Sequence, residues 1–436
     1  MGWSAKVERR VVEAVIPVFN DSVDSSNRLQ QLLSSVSYRD WVRSYHWLDA
    51  SGLVLYFLAR LESLRLLGAL PPDTLRRFRQ NLADNRARTA SMMTEFVALN
   101  QSFKRAGIQF CNLKGFTLSP DSCPDPTQRC QLDFDFLVDG SQLELCRQIL
   151  AQTGYELVGS TNTVWEFKSG ASDLARREDH YKAKPQRSVE IHFAASDTDE
   201  PTRDPKLDRL NWREWHGNSF PTLAPVDQFV GQALHLFGHL CGSSTRIAWL
   251  LEYRRNVLSH YTDQAFWKFV RECARNDRQT EIAIGLSTLL AFQLFGGEAP
   301  RELNHWALQR LPAEVKLWAE RYGRRTLLAG FPGTKFDLLL RDALRGDDAS
   351  WQKEKRRSLL PLHRAPRIVH TSPDDSLKKQ LRAELYQLRF VVFRLRFHVV
   401  EGLRYAIEAL RWKRQLAALR NVAPHSMADD PYPTQS

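Results

Sequence analysis

Asp133 and Asp135 stand one residue apart in the apolar run Leu132-Asp133-Phe134-Asp135-Phe136-Leu137-Val138. Successive side chains of a β-strand point to opposite faces. Leu132, Phe134 and Phe136 would then face a core, and the two aspartates would lie side by side on the other face. Adjacent carboxylates repel, and charge withdrawn from water is costly without compensation. A divalent cation bound by oxygen ligands supplies it. The same spacing recurs at Asp197 and Asp199, but the stretch from Ala195 to Asp204 is polar and reads as a solvated loop. The first pair is set apart by a second alternating segment, Ser188-Val189-Glu190-Ile191-His192-Phe193. It puts Val189, Ile191 and Phe193 on one face and Glu190 and His192 on the other, so a second strand offers a third acid. The competing reading is a solvated acidic ladder on an edge strand.

These residues need elements to position them. Ala106 to Gly115 reads as a helix end, a strand and a glycine turn; Arg129 precedes the aspartate strand; a helix runs from about Gln142 to Thr153 and is followed by Gly154-Tyr155. Leu113-Lys114-Gly115, Arg129-x-x-x-Asp133-x-Asp135-x-Leu137-Val138, the helix ending in Gly154-Tyr155 and Val189-Glu190-Ile191-His192-Phe193 together resemble a poorly characterised bacterial nucleotidyltransferase family of the polymerase-beta-like superfamily. The resemblance extends from about residue 40 to 260, with helices before Lys114 and a later helix containing Leu234-His235-Leu236-Phe237-Gly238-His239-Leu240.

The resemblance implies an α+β fold: a small mixed sheet of nucleotidyltransferase type flanked by extensive helical regions. It implies Mg²⁺-dependent transfer of a nucleoside monophosphate from an NTP, with Mn²⁺ as an alternative ion. Asp133 and Asp135 would hold the catalytic and nucleotide-bound metals, with Glu190 as third carboxylate helping to activate the acceptor. Two metals roughly 3.5–4 Å apart can stabilise both the attacking and the leaving oxygen of an in-line displacement. Gly115 would let the backbone approach the triphosphate. Lys114 and Arg129 could neutralise phosphate charge, arginine through a bidentate fork. The plainer readings are a surface lysine beside a turn and an arginine paired with an aspartate. The acceptor is left open among a protein side chain, a small molecule such as a sugar or antibiotic, and an RNA end. The alternative function is a non-catalytic partner protein that retains the fold in a biosynthetic or envelope-linked pathway. The wider superfamily follows its first strand with Gly-Ser or Gly-Gly; here Phe116 follows Gly115 and predicts a narrowed phosphate pocket.

Composition bounds the rest. A chain of 436 residues with 43% hydrophobic residues and 12 tryptophans can bury a sizeable core and is expected to form more than one domain. No stretch has the roughly 18–20 uninterrupted apolar residues of a membrane span, and the charged start from Lys6 to Arg10 lacks a secretory apolar region. Cys111, Cys123, Cys130, Cys146, Cys241 and Cys273 include no C-x-x-C and read as reduced thiols of a cytoplasmic protein. A zinc site at Cys123 and Cys130 lacks partner ligands at a recognised spacing. The divisions read from pattern are a helical region 1–105, an α/β core 106–195, helices over 196–333 with Asn211 to His260 returning to helix through Pro221 and Pro225, a basic loop-rich linker 334–375, a basic helix 376–420 and a disordered tail 421–436.

His235 and His239 share a helical face at i and i+4, but residue 236 is leucine where a zinc-protease motif has glutamate. They are read as hydrogen-bonding within the helical domain or lining the nucleotide cleft. Arg246, Trp249 and Glu252 follow on the next helix and are read as packing residues, with closure over substrate as the alternative. Residues 376–420 carry eleven Lys/Arg against three Glu, a surplus of eight in a chain of net charge +11. Leu381, Leu385, Leu388, Val392, Leu395, Val399, Leu403, Ile407 and Leu410 fall near helical spacing there. Three readings fit this helix: packing on the body with a cationic outer face, an anionic membrane surface, or nucleic-acid phosphates.

Overall fold

Short runs of aromatic and β-branched residues, broken by glycine and proline, build one mixed sheet. In the computed structural model the strands are β1 (Phe110–Leu113), β2 (Asp133–Val138), β3 (Tyr155–Ser160), β4 (Val164–Ser169), β5 (Arg187–His192), β6 (Ala194–Ala195), β7 (Pro201–Thr202), β8 (Leu210–Trp215) and β9 (Asn218–Leu223). Seven of them form a sheet in the order β3-β4-β5-β2-β1-β9-β8, and β6 pairs with β7 in a second, two-stranded sheet. The pairs β2·β5 and β1·β9 are parallel and the others antiparallel. The structure describes residues 9–20, 26–170, 180–183, 186–215, 217–242, 245–330, 332–346, 348–360 and 376–422.

The alternation in β2 sets the core. Phe134, Phe136 and Val138 join Val189 and Ile191 of β5 in one buried cluster with Phe96, Leu99 and Phe103. Those last three come from the helix Pro72–Arg105, which has proline at its start, Asp73 in its first turn and Lys104 and Arg105 in its last, all favourable to the helix dipole. Each such buried side chain contributes roughly 1.5–3 kcal/mol. The helix Leu143–Gln152 adds Ile149 and Leu150 to the same cluster. Leu132, expected there too, precedes β2 and is only half-buried. The opposite sheet face carries a smaller cluster of Cys111, Leu137, Leu207 and Leu223. β2 and β5 lie in the sheet interior, which excludes the edge-strand ladder.

Two expectations need correction. Asn211 to Leu223 is not helical: it forms the hairpin β8–β9, turning at Gly217 with φ +72°. Trp212, Trp215, Phe220 and Thr222 favour strand, and of the two prolines only Pro225 opens a helix, Pro225–Leu240. The sheet therefore continues past residue 195. The segment from 334, expected to be loop-rich, carries helices Asp337–Arg345 and Ala349–Leu359. The second is capped by the Asp348 carboxylate accepting from Ser350 N and Trp351 N, and anchored by the fully buried Trp351. The rest of that linker, 361–375, and the tail from 423 lie outside the described residues.

The chain divides into two compact units. One comprises the described residues of 6–237 and 246–309, including the whole sheet; the other comprises those of 238–245 and 310–436. In the second, the Trp318 indole donates to Phe336 O at 2.8 Å, and the Tyr322 ring lies 5.0 Å from Phe336 and 5.9 Å from Trp412. Its helix Leu377–Val422 buries Ala383, Glu401, Tyr405 and Trp412, whereas the aliphatic series from Leu381 to Leu410 is exposed. Alanine and aromatics thus fill the packed side of this helix, and the aliphatic series lies outward with the cations. All six cysteines are free, and no described helix is long and apolar enough to cross a membrane.

Candidate functional site

The parallel pairing of β2 and β5 sets Asp135 opposite Glu190 and Leu137 opposite His192. Because the core takes Phe134, Phe136, Val189 and Ile191, alternation sends Asp135, Glu190 and His192 to the other face. His192 Nε2 lies 3.1 Å from Asp135 Oδ1 and 3.3 Å from Glu190 Oε2. A ring nitrogen facing two carboxylate oxygens carries a proton. One ligand atom from each of Asp135, Glu190 and His192 lies within 4.8 Å of the others, a grouping that could hold a metal ion. β1 is antiparallel to β2 with Leu113 opposite Asp135, so the next residue, Lys114, is delivered to the same place. Its Nζ donates to Asp135 Oδ1 at 2.8 Å. Lys114 is therefore no isolated surface lysine.

The two aspartates have opposite electrostatics. For Asp135, burial would raise the pKa, but the His192 hydrogen bond and the Lys114 charge outweigh it and hold the carboxyl well below its usual range. For Asp133, burial and then the charges of Asp135 and Glu190 push the carboxyl up to about 6. His192 is raised because its hydrogen bonds to Asp135 and Glu190 outweigh burial. Lys114 is raised likewise, Asp135 outweighing its desolvation. Two further carboxylates and an imidazole beside one unrelieved carboxylate suit a divalent cation.

Lys114 and Gly115 both have positive φ, +48° and +52°. Glycine tolerates this freely, lysine at a cost of roughly 1–3 kcal/mol. A Cβ on Gly115 would run into the amide of Gln131, and that amide donates to the Asp133 carbonyl at 2.9 Å. The glycine thus permits a close approach that steadies the aspartate strand. Phe116 does not narrow any phosphate pocket. It is 3% exposed within the main core, with its ring 5.1 Å from Phe96 and 5.3 Å from Trp215.

Arg129 pairs with a glutamate rather than an aspartate: its Nε donates to Glu252 Oε1 at 3.1 Å, and the Tyr56 hydroxyl donates to the same oxygen at 2.7 Å. Glu252 comes from the helix Ile247–Ser259, far along the chain. Beside the carboxylates lies a cavity of about 240 Å³ whose wall includes Lys114, Arg129, His192, His235, Trp249 and Glu252, with Leu113, Leu137 and Leu223. His235 thus lines the cleft, its ring 4.9 Å from that of Trp249. Trp249 and Glu252 line it too. His192 was the residue missed: its place on the Glu190 face was visible in the alternation, but its contact with Asp135 depends on the parallel register, which no local pattern encodes.

No curated protein matches the chain. Among solved structures, the chain is similar to an antigenic nucleotidyltransferase-like protein from Paracoccidioides brasiliensis, at 13% identity and a TM-score of 0.28, over 44% of this chain and 90% of that one. The profile of the uncharacterised nucleotidyltransferase family matches residues 37–296, which hold all the strands and every residue of the site, and the chain belongs to that family.

Proposed function

We propose that the protein is a metal-dependent nucleotidyltransferase of the polymerase-beta-like superfamily, moving a nucleoside monophosphate from an NTP to an acceptor. The observation that carries this reading is Asp135, Glu190 and His192 gathered within 4.8 Å, with Asp133 raised beside them by burial and their charges. A scaffold has no need for such a cluster, whereas perturbed carboxylates in a cleft are usual at working sites. Asp133, Asp135 and Glu190 would hold Mg²⁺ or Mn²⁺. When bound, the ion would supply positive charge to the phosphate oxygens in the transition state.

The chain's own residues then divide the work. The acceptor oxygen forms a bond to the α-phosphorus, the bond from that phosphorus to the bridging oxygen breaks, and pyrophosphate leaves. Glu190, the more exposed of the paired acids at 31% against 4% for Asp135, takes the acceptor proton. Lys114, whose Nζ donates to Asp135 Oδ1 at 2.8 Å, is placed at the carboxylates to neutralise phosphate charge. The turn at Gly115 is closed by the Gln131 amide, so it would serve by holding the aspartate strand in place. Arg129 lines the cavity while anchored by Glu252, so it presents a fixed positive wall. The cavity's leucines and Trp249 exclude water from the reacting groups.

Calorimetry of NTP binding with and without Mg²⁺, on the native chain and on Asp133→Ala/Asp135→Ala, tests this. Mg²⁺-dependent binding that the double variant loses, with its fold retained by circular dichroism, is the expected outcome. Failure of the native chain to bind any NTP would overturn the proposal and leave the non-catalytic partner reading.

A further inference from the structure

The helix Leu377–Val422 has 46 residues, roughly 70 Å at 1.5 Å per residue. One side is committed to its own unit. Tyr405 and Trp412 are 5% and 2% exposed, the Tyr322 hydroxyl donates to Glu408 Oε2 at 3.2 Å, and the Lys355 ammonium sits 5.8 Å from the Tyr405 ring centroid. Advancing 100° per residue, the aliphatic stripe that runs from Leu381 through Leu388, Leu395 and Leu403 to Leu410 centres on the opposite side. Those five leucines are 59–70% exposed. A continuous apolar stripe of this length is far more than a soluble monomer ordinarily shows to water.

Charge selects what covers it. Lys378, Arg382, Arg389, Arg396 and Arg414 are exposed and fall by the same geometry along one edge of the stripe. Glu384 is the one exposed acid among the described side chains of this helix, Glu401 being buried and Glu408 half-buried. An antiparallel second copy of the helix would lay one cationic edge beside the other, and in any orientation a copy adds its own cationic surplus to the face, which opposes pairing. Nucleic acid would match the charge but leaves the aliphatic face without base-stacking aromatics. An anionic bilayer satisfies both features: the leucines and valines enter the acyl boundary, and the long cationic side chains reach the headgroups. We infer that this helix lies in the plane of an anionic phospholipid surface and docks the protein there, independently of any nucleotide chemistry.

Flotation of the full chain with vesicles of phosphatidylcholine, with and without phosphatidylglycerol, tests the inference. The protein should float with the mixed vesicles and not with the neutral ones, and added salt should release it. Leu388→Gln/Leu395→Gln should weaken binding at least about tenfold. Arg389→Gln and Arg396→Gln should each weaken it about fivefold. These positions are exposed, so thermal melts should match the native chain; if the leucine variant unfolds, the arginine variants and the salt series on native protein still decide. Equal binding to both vesicle types, no flotation, a concentration-dependent dimer abolished by the leucine variant, or RNA binding that survives the leucine variant without flotation would each overturn it.

Discussion

Asp133→Asn should stabilise the protein in the presence of a chelator, even though it removes a residue of the candidate site. Burial and the charges of Asp135 and Glu190 raise this carboxyl from 3.8 to about 6. Two pKa units correspond to ~3 kcal/mol against the ionised form. Asp133 is only half-buried, and solvent screening brings the expected cost to about 1–2 kcal/mol. The folded carboxyl holds its proton more tightly than the unfolded one. The cost is therefore absent below pH ~3.8, grows between about 3.8 and 6, and is complete above 6. Asparagine removes it, so urea denaturation in EDTA should show the variant about 1–2 kcal/mol more stable than the native chain near pH 7.5. Near pH 4 the two should be nearly equal. Adding Mg²⁺ should raise the native midpoint and leave the variant's almost unmoved, because only ligand bound to the folded state stabilises it. A variant less stable than the native chain near pH 7.5 in EDTA would refute the reasoning, since it would mean that Asp133 is held by favourable partners rather than crowded by like charges.

Other substitutions probe the supports of the site. Glu252→Gln leaves the Arg129 guanidinium without its counter-charge in a largely buried place and should cost about 3 kcal/mol by urea denaturation; a loss under ~1 kcal/mol would mean that water reaches the guanidinium. Gly115→Ala meets both a positive φ and the Gln131 amide, and should destabilise by about 1–2 kcal/mol while weakening Mg²⁺ affinity measured by calorimetry. In the other unit, burial raises Asp337 to about 7. Its ionisation opposes folding with the same sign as Asp133, so Asp337→Asn should raise the melting temperature near pH 8 and have no effect near pH 4; an unchanged melting temperature at pH 8 would show that Arg341 neutralises the charge.

The parts of the site carried by alternation were legible without coordinates. Phe134 and Phe136 against Asp135, and Val189 and Ile191 against Glu190, need only the two-residue repeat of a strand. The helix over Pro72–Arg105 was equally readable, since proline, apolar spacing and terminal charge agree locally. What escaped was set by pairing between distant segments. The contact of His192 with Asp135 requires β5 to run parallel to β2 in one register, and Glu252 reaches Arg129 across 123 positions of chain. Phe116 was misread because its neighbour Gly115 turns the chain through a positive φ, which redirects the ring into the core. The hairpin β8–β9 was hidden by Pro221, whose helix-start signal was overridden by tertiary pairing with β1 and β8.

The different states of Asp133 and Asp135 follow from where the cationic groups converge. Lys114 and His192 both contact the same atom, Asp135 Oδ1, at 2.8 and 3.1 Å. Asp135 is therefore ionised and satisfied, and its charge is one of those that raise Asp133. A cation that draws on Asp135 must compete with a lysine and a protonated imidazole for one oxygen, while it relieves repulsion at Asp133 and Glu190. The first effect weakens cation binding and the second strengthens it, so affinity depends on the balance. As pH rises through the raised range of His192 its positive charge is lost while Nε2 keeps its N–H toward the carboxylates, so competition weakens and cation affinity should increase. Lys114 is raised by Asp135 and remains charged throughout, so under the proposed chemistry a cation at Asp135 would leave it available to phosphate charge.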